Sequence, residues 1–306
     1  MRIKFFVAEK DRNYGIAEAM AEGAKVHGDE VEVIPQGLFQ GPCDSIGACL
    51  GVKKAGKRLL AAHLDAGCRF LFLDKSYMAR AQHLRISIDA WQPTAYFQSN
   101  RPPDRFERLG LEVRPLSCKG NEILFAGSSQ KYCNFNDLGD ATEYATRVVA
   151  ELKKGVKMQH TIVYRPKPSW AAHHPEECLP IEGTRLSAPR TPIKDELARC
   201  HLLVTHGSNA AVDALLEGVP IMALGSGIFD SMSMGEDYAR IETPFFPTDE
   251  ERMQFFYDLA YCQWTLEEFR SGAAWADLRQ TIVNLGPPGG LASPVDEAKI
   301  AHRGRA

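Results

Sequence analysis

The stretch "HLLVTHGSNAAVDALLEGVPIMALG", His201 to Gly225, restricts the fold more than any other part of the chain. An apolar run is cut by a polar insert, Thr205-His206-Gly207-Ser208-Asn209, then a helical pattern runs to Gly218 and a second apolar run opens at Val219-Pro220. Two buried strands joined by a helix make a parallel βαβ unit, whose sheet must be covered on both faces. The strand "HLLVTH" then ends at the sheet's carboxyl edge, where open α/β sheets bind ligands. Gly207 permits a tight turn and a close ligand approach, and Ser208 or Asn209 can cap the helix. That helix start offers unpaired N–H groups and the positive end of a dipole, a place for phosphate. Capping alone also explains a Ser-Asn pair at such a position.

The same alternation recurs elsewhere. "IKFFVA", "EVEVIP", "CRFLFLD", "LRISID", "LEVRPL" and "EILFAG" read as strands, and "YGIAEAMAEGAKVHG", "KRLLAAHLDAG" and "DATEYATRVVAELKKG" as helices. At 306 residues the chain is long enough for two cores. The expected division is residues 1–155, residues 156–248, closing helices over 249–285, and a Gly-, Pro- and charge-rich tail over 286–306. Hydrophobic residues make up 44% and charged residues 25%, as in a globular protein. No apolar run approaches the roughly 20 residues of a membrane span. The net charge of −3 supplies no global basic field for nucleic acid, so a polyanion would need a local patch. Eight cysteines lack any C-x-x-C pair or zinc spacing. With no signal-peptide pattern at the N-terminus, the expected location is the cytoplasm and the cysteines reduced thiols.

"YRPKP" puts Arg165 and Lys167 at the end of the strand before "HLLVTH", on the same predicted edge. Arginine can pair bidentately with phosphate oxygens and lysine supplies a point charge. A solvated strand end is the other account of these two. "GVKKAGKR" has P-loop spacing as far as Lys57, but Arg58 stands where Ser or Thr is required.

"VTHGSNAAVDALLEGVPIMALG" resembles the donor-binding segment of GT-B glycosyltransferases, in which a strand, a small polar turn, a helix with an acidic residue, Gly-x-Pro and a further strand follow one another. "RPKP" stands where capsule-type sialyl- and Kdo-transferases carry a His-Pro motif, with Arg165 and Lys167 in its place. "DKSYMARAQHLRISIDAWQPTAYF" and "LAYCQWTLEEFRSGAAW" are similar to bacteriophage-encoded proteins of glycosyltransferase type. The resemblance implies an α/β protein of two Rossmann-like domains facing across a cleft, the C-terminal one holding a nucleotide-sugar and the N-terminal one the acceptor. It implies no metal and no cofactor beyond a nucleotide-sugar co-substrate, a UDP-sugar first. Consistent with that, the chain contains no Asp-x-Asp. Arg165, Lys167, His206, Gly207, Ser208, Asn209 and Glu242 would hold the donor.

Inverting transfer needs a base for the acceptor hydroxyl. Asp74, ending "CRFLFLD", is the first candidate, Asp11 after the first strand the second, and Asp89 the third. Each also fits a loop or turn role. Trp91, Tyr96, Arg101 and Arg105 are candidates for the acceptor. Lys53, Lys54, Lys57 and Arg58, with Arg101, Arg105, Arg108 and Arg114, form two basic clusters that could dock a polyanion or simply be solvated faces. Phage enzymes of this resemblance include those acting on hydroxymethylated pyrimidines in duplex DNA, which extrude the base, and the resemblance puts such DNA first among the expected acceptors. A saccharide or lipid-linked acceptor, a nucleotide-sugar epimerase of the same design, and a non-catalytic nucleotide binder remain open.

Overall fold

The computed structural model describes residues 1–8, 11–42, 45–51, 54–188 and 190–286. Among these, the strands in chain order are β1 (Arg2–Val7), β2 (Glu30–Pro35), β3 (Ile46–Leu50), β4 (Phe70–Lys75), β5 (His83–Ile88), β6 (Glu122–Ala126), β7 (Thr161–Arg165), β8 (Arg185–Leu186), β9 (Cys200–Thr205), β10 (Ile221–Ala223) and β11 (Gln263–Thr265). The chain folds into two compact units. One comprises Met1–Pro102 together with the chain from Asp258 onward, the other Pro103–Tyr257.

The first unit carries a six-stranded sheet ordered β11-β5-β4-β3-β1-β2. β2, β1, β3 and β4 run parallel, while β5 pairs antiparallel with both β4 and β11. Its core gathers Ile3, Phe5 and Leu71 with Trp264, Phe269 and Trp275, so residues from both ends of the chain fill one interior. The helix Ala273–Leu285 buries Ala274, Trp275, Leu278 and Ile282 into that core. The closing helices expected over 249–285 thus include a part of the first unit, and Trp264 lies on β11 rather than on a helix.

The second unit carries a five-stranded, all-parallel sheet ordered β10-β9-β6-β7-β8. All six residues of β9 are buried, as a central parallel strand covered on both faces requires. The helix Ala141–Gly155 packs Val148, Val149 and Leu152 into this core. Its start is capped by the Asp140 carboxylate, which accepts from the N–H groups of Thr142 (2.9 Å) and Glu143 (3.0 Å).

The first unit ends at Pro102, not at the expected residue 155. β6 pairs with β7 on one side and β9 on the other, which commits the strands from β6 to β10 to the second sheet. "LEVRPL" is not a strand: its backbone and that of the residue after it bond the end of a helix and the turn beyond it instead, through Arg114 N–H to Leu216 O (2.8 Å) and Ser117 N–H to Gly218 O (2.7 Å).

Candidate functional site

In the second sheet the strand order turns back between β6 and β9. From β6 the chain adds β7 and β8 on one side, then returns to place β9 and β10 on the other. The carboxyl ends of β6 and β9 therefore form the topological switch point of a doubly wound sheet, the expected ligand crevice of such a fold. Thr205 Oγ1 donates to Ala126 O (3.0 Å) and ties the two strand ends together. The insert that interrupts the apolar pattern, His206-Gly207-Ser208-Asn209, leaves β9 at this point. Gly207 has φ of 60°, a left-handed conformation that favours glycine.

His206 is the best-defined side chain here. Its Nδ1 lies 2.7 Å from the Tyr144 hydroxyl. Tyr144 and Tyr132 each meet the ring edge-on, at 5.7 and 5.8 Å between centroids. Its Nε2 faces the turn after β10, where a Cβ on Gly225 would stand 2.9 Å away. Burial pushes the imidazole below its ordinary pKa, and the charge of Glu236 opposes that shift. Burial likewise holds the Tyr144 phenol well above its usual value. The Gly225 N–H is taken by Glu236 Oε1 (2.7 Å), and the Gly227 N–H by Asp230 Oδ1 (2.8 Å). Burial raises the Asp230 carboxyl, more than the Gly227 bond lowers it. Tyr132, Tyr144, Asp230 and Glu236 were not among the sequence candidates. No motif marks them, because three separate loops and helices bring them to this edge.

Ser208 Oγ accepts from the Ala210 N–H (3.3 Å), so Ser208 closes the turn into the helix Ala210–Leu216. Asn209 has helical dihedrals at the cap position and gives no side-chain cap. Lys167 lies exposed just past β7 on the same edge. Arg165 is 8% exposed, and its guanidinium donates to Ser187 Oγ (2.9 Å) and Thr191 O (2.9 Å). Ser187 in turn donates to the buried Glu196 carboxylate (2.7 Å). Arg165 therefore braces the β7–β8 edge and is not presented to a phosphate. Glu242 lies at the other end of the sheet. Its Oε1 accepts from the N–H groups of Lys157 (2.7 Å) and Met158 (3.0 Å), and its Oε2 pairs with His160 Nε2 (2.9 Å), all just before β7 begins. Burial raises the Glu242 carboxyl, but those bonds outweigh it and the pKa falls below the ordinary value. Glu242 is a staple of the amino edge, not a partner of His206.

In the first unit Asp74 is the second-last residue of β4, near the carboxyl edge, with its side chain 25% exposed. Its Oδ1 accepts from the Lys75 N–H (2.8 Å) and its Oδ2 from Arg85 Nη2 (3.4 Å). Arg85 is stacked between Tyr77 and Trp91, 5.1 and 4.5 Å from the two ring centroids. Trp91 is thus half-buried over a cation belonging to its own unit. Asp11 begins the helix Asp11–Val26, and its side chain lies outside the described residues. Asp89 accepts from the Phe70 N–H (2.8 Å) and from Arg69, a structural turn with φ of 57°. Tyr96 cannot meet an acceptor as it stands. It is 1% exposed, its hydroxyl donates to Asp277 (2.7 Å), and it accepts from Trp264 Nε1 (3.1 Å). Arg101 is held bidentately by Asp277 (2.8 and 2.9 Å), and Arg105 is buried in the second unit. Lys53 of the basic clusters lies outside the described residues.

Among the described residues no group of His, Cys, Asp and Glu gathers to hold a metal, and no helix is long and apolar enough to cross a membrane. No protein-family model and no curated protein sequence matches the chain. Solved structures do. The β-Kdo 2,4 transferase of Thermosulfurimonas dismutans KpsC aligns at a TM-score of 0.53 with 13% identity, over 87% of this chain and 92% of that one. The β-Kdo 2,7 transferase of the same protein aligns at 0.51 with 12% identity, over 92% and 98%. At these identities the likeness is one of fold, and the two α/β units have the GT-B fold.

Proposed function

We propose that the chain is a glycosyltransferase that takes a nucleotide-sugar at the carboxyl edge of the second sheet and passes the sugar to a hydroxyl acceptor. The observation that carries this is the coincidence of the topological switch point with the turn His206-Gly207-Ser208. A generic cap would fall at any helix start, whereas this one falls where a doubly wound sheet binds ligands. His206, Gly207, Ser208, Asn209 and Lys167 are the proposed donor-binding residues. Arg165 enters only as the brace behind them.

In the reaction, the acceptor oxygen attacks the anomeric carbon. The bond from that carbon to the nucleotide phosphate breaks, and the phosphate departs with the bonding pair. Neutral donors and backbone N–H groups aimed at the departing charge lower the barrier. Asp74 is the proposed base for the acceptor proton. It is partly exposed, lies second-last in β4 near the carboxyl edge of its own sheet, and keeps carboxylate lone pairs beyond its bonds to Lys75 and Arg85.

Of the acceptor classes, a saccharide is favoured over DNA. The likeness to Kdo transferases supports a sugar-building role. The side chains that would have held an extruded base or its backbone are spent elsewhere: Tyr96 and Arg101 on Asp277, and Arg105 by burial.

The test is a panel of nucleotide-sugars incubated with the protein alone, with oligosaccharide acceptors, and with hydroxymethylated duplex DNA. Free nucleotide and product mass are followed. Acceptor-dependent release with a saccharide product is expected. Conversion of the nucleotide-sugar without acceptor would make the protein an epimerase, and a mass gain on DNA alone would restore the DNA acceptor. Binding with no turnover across the panel would leave a nucleotide binder.

A further inference from the structure

We infer that Tyr144 is a positioning residue for the donor site: its O–H donates to His206 Nδ1 and so fixes the ring proton on Nε2, the nitrogen turned toward the ligand side. This rests on the proposed function for its ligand half, while the tautomer half stands on geometry alone.

The 2.7 Å contact between Oη and Nδ1 allows two arrangements, hydroxyl to nitrogen or Nδ1–H to hydroxyl. With its pKa pushed down by burial, the imidazole is neutral near pH 7 and carries one ring proton. The phenol, pushed up by burial, keeps its own. Among the described residues the Tyr144 hydroxyl has one hydrogen-bond partner, His206 Nδ1. If Nδ1 kept the ring proton, the phenol proton would have no acceptor there. Donation from the phenol uses both groups fully and leaves Nε2–H.

Nε2 itself makes no hydrogen bond among the described residues. Tyr132 and Tyr144 meet the ring edge-on, and at its Nε2 end a Cβ on Gly225 would stand 2.9 Å away, so the ring is flanked on these sides. A donor held in this way suits an acceptor oxygen, a phosphoryl oxygen or a sugar hydroxyl, and rejects a ligand N–H. Charge enters sparingly: Glu236 accepts from the Gly225 N–H and makes no hydrogen bond to Nε2 among the described residues. The ligand would thus meet a neutral donor beside a carboxylate, a selective rather than a strongly cationic cradle.

The experiment is a long-range proton–nitrogen NMR spectrum of the full chain labelled with 15N-histidine. The His206 signals are assigned by their loss in His206→Gln. Wild type should show the pure Nε2–H form at neutral pH, Tyr144→Phe should show Nδ1–H appearing beside it, and Tyr132→Phe should match wild type. In parallel, UDP, TDP, GDP, ADP and CMP are titrated into the wild-type protein, and any that bind are titrated into Tyr144→Phe. There a loss of about tenfold in affinity is expected, the size of one hydrogen bond. An Nδ1–H wild type, or a Tyr144→Phe spectrum identical to wild type, overturns the assignment of the proton. The expected spectra with unchanged nucleotide affinity overturn the role in binding. If Tyr144→Phe does not fold, the wild-type tautomer decides. If no nucleotide binds wild type, the proposed function fails while the tautomer is still read.

Discussion

Arg165 bridges Ser187 and the Thr191 carbonyl from a site that is 8% exposed, so cutting it to alanine strips a buried and a half-buried acceptor of a charged donor. Arg165→Ala should lower unfolding free energy by about 2 kcal/mol, the scale of hydrogen bonds to a charged group. The folded variant should bind nucleotide as wild type does. Urea melts and titrations on the same sample separate the two, and a binding loss without a stability loss would return Arg165 to the phosphate. His63 makes a second prediction. It is fully buried among Phe6, Phe39 and Phe70, its Nδ1 donates to Leu59 O (2.7 Å), and its Nε2 has no partner. Burial lowers its pKa from the ordinary 6.5, the Leu59 bond opposing this only in part. Unfolded chain therefore takes up a proton near pH 6.5 that the folded chain refuses. Stability from this group is complete above that pH and is lost as pH falls toward the folded value. Urea melts between pH 7.5 and 5 should show that loss in wild type and a shallower one in His63→Leu; equal slopes would rule His63 out. What the sequence made legible at this scale was position along a strand, not commitment. Arg165 and Tyr96 were visible as a charge and an aromatic in the right segments. Whether Ser187 or Asp277 had already claimed them depends on contacts across many residues of chain.

Elements were legible where they are long and regular. The apolar runs of β1, β4, β6 and β9 and the amphipathic helix Ala141–Gly155 declare themselves locally. β3 does not, because "IGACL" has small residues where a strand signal expects branched ones. The reason is in the packing: a Cβ on Gly47 would come 2.5 Å from His63 Nε2 and 2.6 Å from the Phe70 ring, so only glycine lets the helix Lys54–Asp65 lie this close. β11 is three residues long and antiparallel at a sheet edge, fixed by partners on β5 rather than by its own pattern. A similar close approach governs the helix Asp11–Val26, where a Cβ on Gly23 would run into the Phe269 carbonyl and crowd the Gly272 backbone. Gly23 carries no left-handed φ and, on helix propensity alone, alanine would be the better residue. Gly23→Ala should instead destabilise by about 1–3 kcal/mol, the cost of overpacking. Gly15→Ala in the same helix, where nothing stands within 4 Å, should not. Paired thermal melts of the two variants check this, and a stabilised Gly23→Ala would mean the helices can part without penalty.

At the scale of the whole molecule the two units differ in how the chain builds them. The first is discontinuous: Trp264, Phe269, Trp275 and Leu278 come from beyond residue 257 to complete a core begun by Ile3 and Phe5. The second is a single run, Pro103–Tyr257, containing all five strands of its sheet and the helices whose apolar faces cover it. A sequence read from left to right sees alternating strands and helices and divides them near the middle. It does not see that the chain crosses twice, because the return is carried by aromatic residues on a short strand and two helices with no distance signal of their own. The asymmetry predicts opposite fates for two truncations. Residues 103–257 expressed alone bury a complete core and should melt cooperatively, as a domain of that length does. Residues 1–102 alone lack the tryptophan-bearing segment, leaving Ile3, Phe5 and Leu71 exposed, and should be unfolded or aggregate. Far-UV circular dichroism with thermal melts reads both. The first fragment also carries His206, Tyr144 and Glu236 together. If the donor site belongs to this unit, the fragment should bind the same nucleotide as the full chain. A fragment that folds yet binds no nucleotide, beside a full chain that does, would move the donor site off the switch point.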